Sequence, residues 1–140
     1  MSGSKYRKIS NRFATVAAVS FILLSLILAR DALAHAQMVR SNPAKNAELT
    51  KAPEQVDLWF NELLDEGFNS VEVFTASESA LQHHANLARG QAAVDPEDRT
   101  HLTVKLAPLP AGEYVVAWRV LSRDGHSAPG RLTFRVAGAK

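Results

Sequence analysis

Apolar and polar residues alternate along most of the chain after residue 54. This period of two is typical of strands that bury one face and expose the other. Five segments show it, and their apolar side chains form these sets: Val56, Leu58 and Phe60; Val71 and Val73; Leu102, Val104 and Leu106; Tyr114, Val116, Trp118 and Val120; Leu132, Phe134 and Val136. A further short strand is predicted over residues 37–40, ending at Asn42-Pro43.

Turn-forming residues separate these segments, among them Asp124-Gly125 and Pro129-Gly130. Short strands joined by such turns predict an all-β fold, a small antiparallel Greek-key β-sandwich. Residues 76–98 lack the alternation, and we expect mainly loop there with a helical turn over residues 81–87. Trp59 and Trp118 lie within strand segments, and core packing is expected for both because buried aromatic side chains dominate small sandwiches.

Residues 1–34 differ from the rest of the chain. Four basic residues precede 17 uncharged residues at positions 13–29, and Ala32-Leu33-Ala34 follows. This three-part pattern predicts a secretory signal peptide that is cleaved between Ala34 and His35. The alternative is an uncleaved membrane anchor, because 17 residues is near the short limit for a spanning helix. The expected domains are therefore a signal peptide over 1–34 and a β-sandwich over 35–140.

Charge and composition exclude several classes of protein. The sequence pI of about 9.2 comes from the first 34 residues, which carry a net charge of +4, whereas residues 35–140 carry −2. A basic stripe for nucleic acid is therefore absent from the sandwich. The chain has no cysteine, which excludes disulfide scaffolds, thiolate zinc sites, cysteine nucleophiles and blue-copper centres.

Two histidines stand in positions that suit metal binding. Cleavage would make His35 the first residue, so that its α-amine and its ring could chelate one ion; the alternative is a frayed chain end. Asp124 and His126, separated by Gly125, point to the same side of an extended chain; the alternative is an ordinary hairpin turn. Together they offer three nitrogens and one oxygen, a set that suits Cu(II), with Zn²⁺ as a competitor.

The sequence also resembles the CopC family of periplasmic copper-binding proteins. The resemblance covers nearly all of residues 35–136 and rests on these stretches: residues 35–44 (HAQMVRSNPA), residues 52–62 (APEQVDLWFNE), residues 110–119 (PAGEYVVAWR), and residues 122–130 (SRDGHSAPG) with Phe134 and Val136.

The resemblance implies a cupredoxin-like or immunoglobulin-like sandwich that binds Cu(II) through a histidine brace made by His35, Asp124 and His126. It also implies that Glu62 orients the terminal amine through a hydrogen bond. The sequence departs from family members that carry a methionine-rich loop for Cu(I), because the mature chain has only Met38 and the corresponding loop contains His83 and His84. These two histidines are expected to be solvated, and His101 is expected at the surface without a clear partner.

The leading hypothesis is a periplasmic Cu(II) chaperone or buffer in copper homeostasis or resistance, which performs no chemical reaction. Its partners are expected to be the copper ion and an inner-membrane copper transporter or another periplasmic copper protein. The alternatives are an oxidative copper enzyme with a histidine brace, and a metal-free structural or adhesive sandwich. In the first alternative, Asp124 would occupy a position that oxygen needs.

Overall fold

A computed structural model describes residues 36–138, and the predicted signal peptide and its cleavage site lie outside them. The described residues form eight strands: β1 (Met38–Asn42), β2 (Ala47–Leu49), β3 (Gln55–Phe60), β4 (Ser70–Thr75), β5 (Ala88–Val94), β6 (His101–Leu106), β7 (Gly112–Leu121) and β8 (Ser127–Val136). One sheet has the order β1-β3-β6-β5, and the other has the order β2-β8-β7-β4. This arrangement confirms the predicted all-β sandwich.

The alternating apolar residues form the core between the two sheets. Every member of the five predicted sets is buried. Tyr114 and Phe134, which face each other on β7 and β8, stack with ring centroids 5.5 Å apart. The long pair of strands β7 and β8 therefore provides the rigid platform from which the loop between them projects.

The structure differs from the sequence prediction in three places. Residues 88–94 form strand β5 at a sheet edge, where loop was predicted, and residues 81–87 contain no helix. The only regular helical piece among residues 36–138 is a 3₁₀ turn at Ala76–Glu78. The third difference is that β2 pairs with β8 in parallel, whereas the other strand pairs are antiparallel. Within the described range, no helix has the length and apolar character needed to cross a membrane.

The prediction of core packing is confirmed for Trp118 and wrong for Trp59. Trp118 is buried and meets Phe60 edge to face. Trp59 alternates with the core residues of β3 and therefore lies on the outer face of the sheet. There its ring stacks on His101, with centroids 4.3 Å apart, and the guanidinium of Arg40 lies 3.7 Å from the Trp59 ring centroid. The Arg40 guanidinium and the His101 ring thus contact the Trp59 ring, which lies outside the core.

Gly130 on β8 leaves room for the indole of Trp118 on β7. It pairs with Trp118, and a Cβ at position 130 would lie 2.3 Å from an indole carbon. We expect Gly130→Ala to lower the free energy of unfolding by about 2 kcal/mol, because the buried indole must shift. Thermal unfolding should show a fall in Tm of about 10 °C.

Gly112→Ala is the matched control for this substitution. Gly112 lies in β7, the strand that pairs with β8, and its added Cβ would come no nearer than 3.8 Å to a neighbouring atom. Equal Tm values for the two variants would show that the contact with Trp118 does not constrain position 130.

Candidate metal centre

The turn between β7 and β8 carries both of the metal ligands predicted after residue 36. The backbone N–H of Ser122 donates to the carbonyl of His126 at 3.0 Å, and the N–H of Gly125 donates to the carbonyl of Ser122 at 2.9 Å. Gly125 has φ +90°, a left-handed conformation that glycine adopts without steric cost. The sequence Asp-Gly-His therefore forms a tight turn that the long strands hold at its base.

Asp124 and His126 face each other across this turn. The Nδ1 atom of His126 lies 2.9 Å from Oδ2 of Asp124, and the two side chains are 53% and 48% exposed, respectively. The Ser122 hydroxyl and the His126 backbone N–H both donate to Oδ1 of Asp124. The prediction that the two side chains share one side of the chain is consistent with this arrangement.

The same hydrogen bonds keep the Asp124 carboxyl group ionised. The bond from the buried Ser122 hydroxyl, with help from His126, lowers the pKa of Asp124 to about 2. A carboxylate that accepts several hydrogen bonds is stabilised in its charged form. Asp124 thus presents a negatively charged oxygen at any pH near neutrality.

The described chain begins at Ala36, which is anchored in the sandwich. Ala36 is only 6% exposed and belongs to the hydrophobic core. It lines the same shallow cavity, of about 430 Å³, as Ala128, which follows His126 by two positions. The start of the described chain and the start of β8 therefore lie at the same end of the molecule. His35 itself lies outside the described residues.

Residues 61–66, which we call the bridging segment, contact both of these regions. Asn61 exchanges hydrogen bonds with Gln37, and Leu64 forms an isolated β-bridge with Ser122. Glu62, the predicted partner of the terminal amine, lies in this segment and is half-buried. Sequence reasoning did not identify the bridging segment, because its contacts connect positions that are far apart in the chain.

The remaining histidines lie elsewhere, and their predicted environments are correct only in part. His83 is exposed as expected, but His84 is not solvated: its Nε2 atom lies 3.2 Å from Glu72 and its ring packs on Phe74 with centroids 3.8 Å apart.

Among residues 36–138, no three side chains of histidine, aspartate or glutamate are close enough to hold one metal ion. Asp124 and His126 are therefore not joined by a third such side chain within this range.

The expectation that His101 lacks a partner is wrong. Its Nε2 atom lies 2.9 Å from Asp57, its Nδ1 atom lies 3.4 Å from Asp95, and its side chain is 16% exposed. Burial opposes the ionisation of Asp57, but hydrogen bonds from Gln55 and His101 outweigh it, so that the pKa of Asp57 is lowered. The pairing of β3 with β6 brings these residues together, and a strand-pairing register cannot be read from one sequence.

The fold and the turn together define a class: a small β-sandwich that presents a carboxylate and an imidazole on the loop between its two longest strands. The CopC domain family matches residues 38–137, and the chain therefore belongs to the CopC family.

Individual relatives agree with this assignment. Copper transport protein CutJ of Bacillus subtilis is 30% identical over 122 residues, which are 86% of this chain but only 21% of that protein, so the chain spans about a fifth of its length. Protein YobA of Escherichia coli is 33% identical over 116 residues, covering 82% of this chain and 89% of that protein. The crystal structure of PcoC, described as a methionine-rich copper resistance protein from Escherichia coli, superposes with a TM-score of 0.60. It is 30% identical and covers 74% of this chain and 99% of its own.

Proposed function

We propose that the mature protein begins at His35 and binds one Cu(II) ion. The ligands are the α-amine and ring of His35, the carboxylate of Asp124 and the ring of His126. The observation that carries the proposal is the 2.9 Å contact between Asp124 and His126 on a turn at the end of the sandwich where the described chain begins. Glu62 is proposed to orient the terminal amine, as its place in the bridging segment allows.

The donor set fits Cu(II) better than other metals. It contains nitrogen and carboxylate oxygen and no thiolate, which is the combination that Cu(II) prefers, and Cu(II) also heads the affinity series of divalent metals. Cu(I) selects soft sulfur ligands, and Met38 is the only methionine in the mature sequence. Asp124 adds a carboxylate that stays ionised near neutral pH, since its pKa is about 2.

The biological role that this site supports is reversible copper binding in the periplasm, reached through the predicted signal peptide. The protein would act as a chaperone or buffer in copper homeostasis or resistance and would perform no chemical reaction. The names of the relatives, a copper transport protein and a copper resistance protein, support this role. An inner-membrane copper transporter or another periplasmic copper protein would receive the ion.

A metal titration of the protein that begins at His35 tests the proposal. We expect one tightly bound Cu(II) per chain and an electron paramagnetic resonance spectrum with hyperfine structure from nitrogen ligands. A parallel titration with Zn²⁺ measures the competitor, and we expect weaker binding because Zn²⁺ prefers a tetrahedron. If Cu(II) does not saturate at one ion per chain, the proposed function is wrong.

A further inference from the structure

The bridging segment (residues 61–66) connects the start of the described chain with the turn that carries Asp124 and His126. Three sets of hydrogen bonds hold it, and each set reaches a different part of the chain. The first reaches the start of the described chain, the second reaches the turn that carries Asp124 and His126, and the third reaches the loop between β5 and β6.

Asn61 makes the contact with the chain start. Its side-chain oxygen accepts a hydrogen bond of 2.7 Å from the backbone N–H of Gln37, and its own N–H donates to the carbonyl of Gln37 at 3.0 Å. Both backbone polar groups of Gln37 are therefore hydrogen-bonded to Asn61. Gln37 follows His35 by two positions in the sequence, so these two hydrogen bonds and the burial of Ala36 anchor the chain directly after the proposed ligand.

Residues 63–65 make the contact with the metal-binding turn. The N–H of Asp65 donates to the carbonyl of Leu121 at 2.8 Å, and the N–H of Arg123 donates to the carbonyl of Leu63 at 3.0 Å. The β-bridge between Leu64 and Ser122 lies between these two bonds. Ser122 is the residue whose hydroxyl holds Asp124.

Arg99 makes the third contact from the loop between β5 and β6. Its guanidinium donates to the carbonyl of Leu64 at 2.7 Å and pairs with Glu66 at 3.0 Å. Its backbone carbonyl accepts from the N–H of Leu64 at 2.8 Å. Leu64 is fully buried, so its carbonyl depends on such a partner, because a buried polar group without one is costly. Arg99 thus fixes the bridging segment beside Ser122.

We propose that Asn61 and Arg99 are positioning residues of the metal site, because they hold the bridging segment that sets the spacing between the chain start and the turn. The inference rests on the proposed function. A free chain end would lose conformational entropy when it joins the metal. A chain end that is already anchored loses less, and preorganisation of this kind raises affinity. Residues that orient ligands typically contribute about 10- to 100-fold in metal affinity.

The experiment compares Asn61→Ala and Arg99→Met with the unaltered protein, each beginning at His35. We expect Cu(II) affinity to fall about tenfold or more in both variants, with changed nitrogen hyperfine structure in the electron paramagnetic resonance spectrum. In the metal-free Asn61→Ala variant, the Gln37 amide should exchange faster with solvent. Asn61→Asp keeps an oxygen acceptor for that amide and should retain both slow exchange and affinity.

Two control variants match these changes away from the bridging segment. Asn86→Ala removes a side-chain oxygen that accepts from the N–H groups of Val73 and Ala88. Arg135→Met removes a guanidinium that lies near Glu113 and Glu48. Both controls should bind Cu(II) as the unaltered protein does.

The outcomes separate this inference from the proposed function. If the unaltered protein binds one Cu(II) and both positioning variants bind it with the same affinity and spectrum, the inference is wrong and the proposed function stands. If the unaltered protein binds no Cu(II), the proposed function is wrong, and the inference fails with it. An affinity loss in the controls equal to that in the positioning variants would also overturn the inference.

Discussion

A single methionine left in front of His35 is expected to weaken Cu(II) binding by at least about 100-fold. The added residue converts the α-amine of His35 into a peptide nitrogen, so the proposed chelate between this amine and the His35 ring could not form. Loss of a group that only orients a ligand costs about 10- to 100-fold, and loss of a ligand should exceed that range. The measurement is a competition titration against a chelator of known affinity for Cu(II).

The control is the protein that begins at His35, prepared by proteolytic removal of a tag from the same expressed chain. Both forms should have the same Tm without metal, because Ala36 and the residues after it anchor the chain in the core. Equal Cu(II) affinities would show that the terminal nitrogen is not a ligand. Any copper site in the protein would then consist of ligands other than the terminal amine of His35.

Replacing His126 by alanine is the second change with a large expected effect. His126→Ala removes one proposed nitrogen ligand and the partner of Asp124. We expect Cu(II) affinity to fall by at least about 100-fold. The His126 side chain is half exposed, so stability should change little. Isothermal calorimetry gives the affinity, and the resonance spectrum should show fewer coordinated nitrogens.

His83→Ala is the matched control, because it makes the same chemical change at an exposed loop position. It should leave both the affinity and the spectrum unchanged. If the two histidine variants bind Cu(II) equally well, the assignment of His126 as a ligand fails, whatever the state of the amino terminus.

The sequence was sufficient for most of the sandwich because burial on one face imposes a period of two on the strands. The pattern failed at β5, where Ala88–Val94 contains alanine, arginine, glycine and glutamine and few residues that favour strands. An edge strand of this kind is stabilised by its pairing with β6 rather than by its own residues. The sequence pattern also did not predict β2, because three residues are too few to show an alternation.

The candidate ligands were predictable because their signals are local. An alanine-rich cleavage pattern before His35 and a carboxylate two positions before a histidine can both be read along the chain. The supporting contacts could not be read in this way. Asn61 meets Gln37 from 24 positions away, and Arg99 meets Leu64 from 35 positions away, and no local pattern marks such pairs.

The outer-face cluster illustrates the same limit. The alternation in β3 places Trp59 opposite the core residues, yet only the register between β3 and β6 brings His101 to it. Composition favours burial for tryptophan, whereas the backbone geometry assigns it to the other face. The backbone geometry prevails, because a strand cannot turn one residue inward without turning its neighbours outward.

The tight approach of Gly130 to Trp118 makes the effect of a substitution at one position depend on the residue at the other. A Cβ at position 130 would lie 2.3 Å from a carbon of the indole at position 118, so we expect a larger residue at position 130 to be tolerated better when position 118 carries a smaller side chain. Both residues line the cavity that Ala36 and Ala128 also line. A design that changes the shape of this cavity should therefore replace Gly130 and Trp118 together.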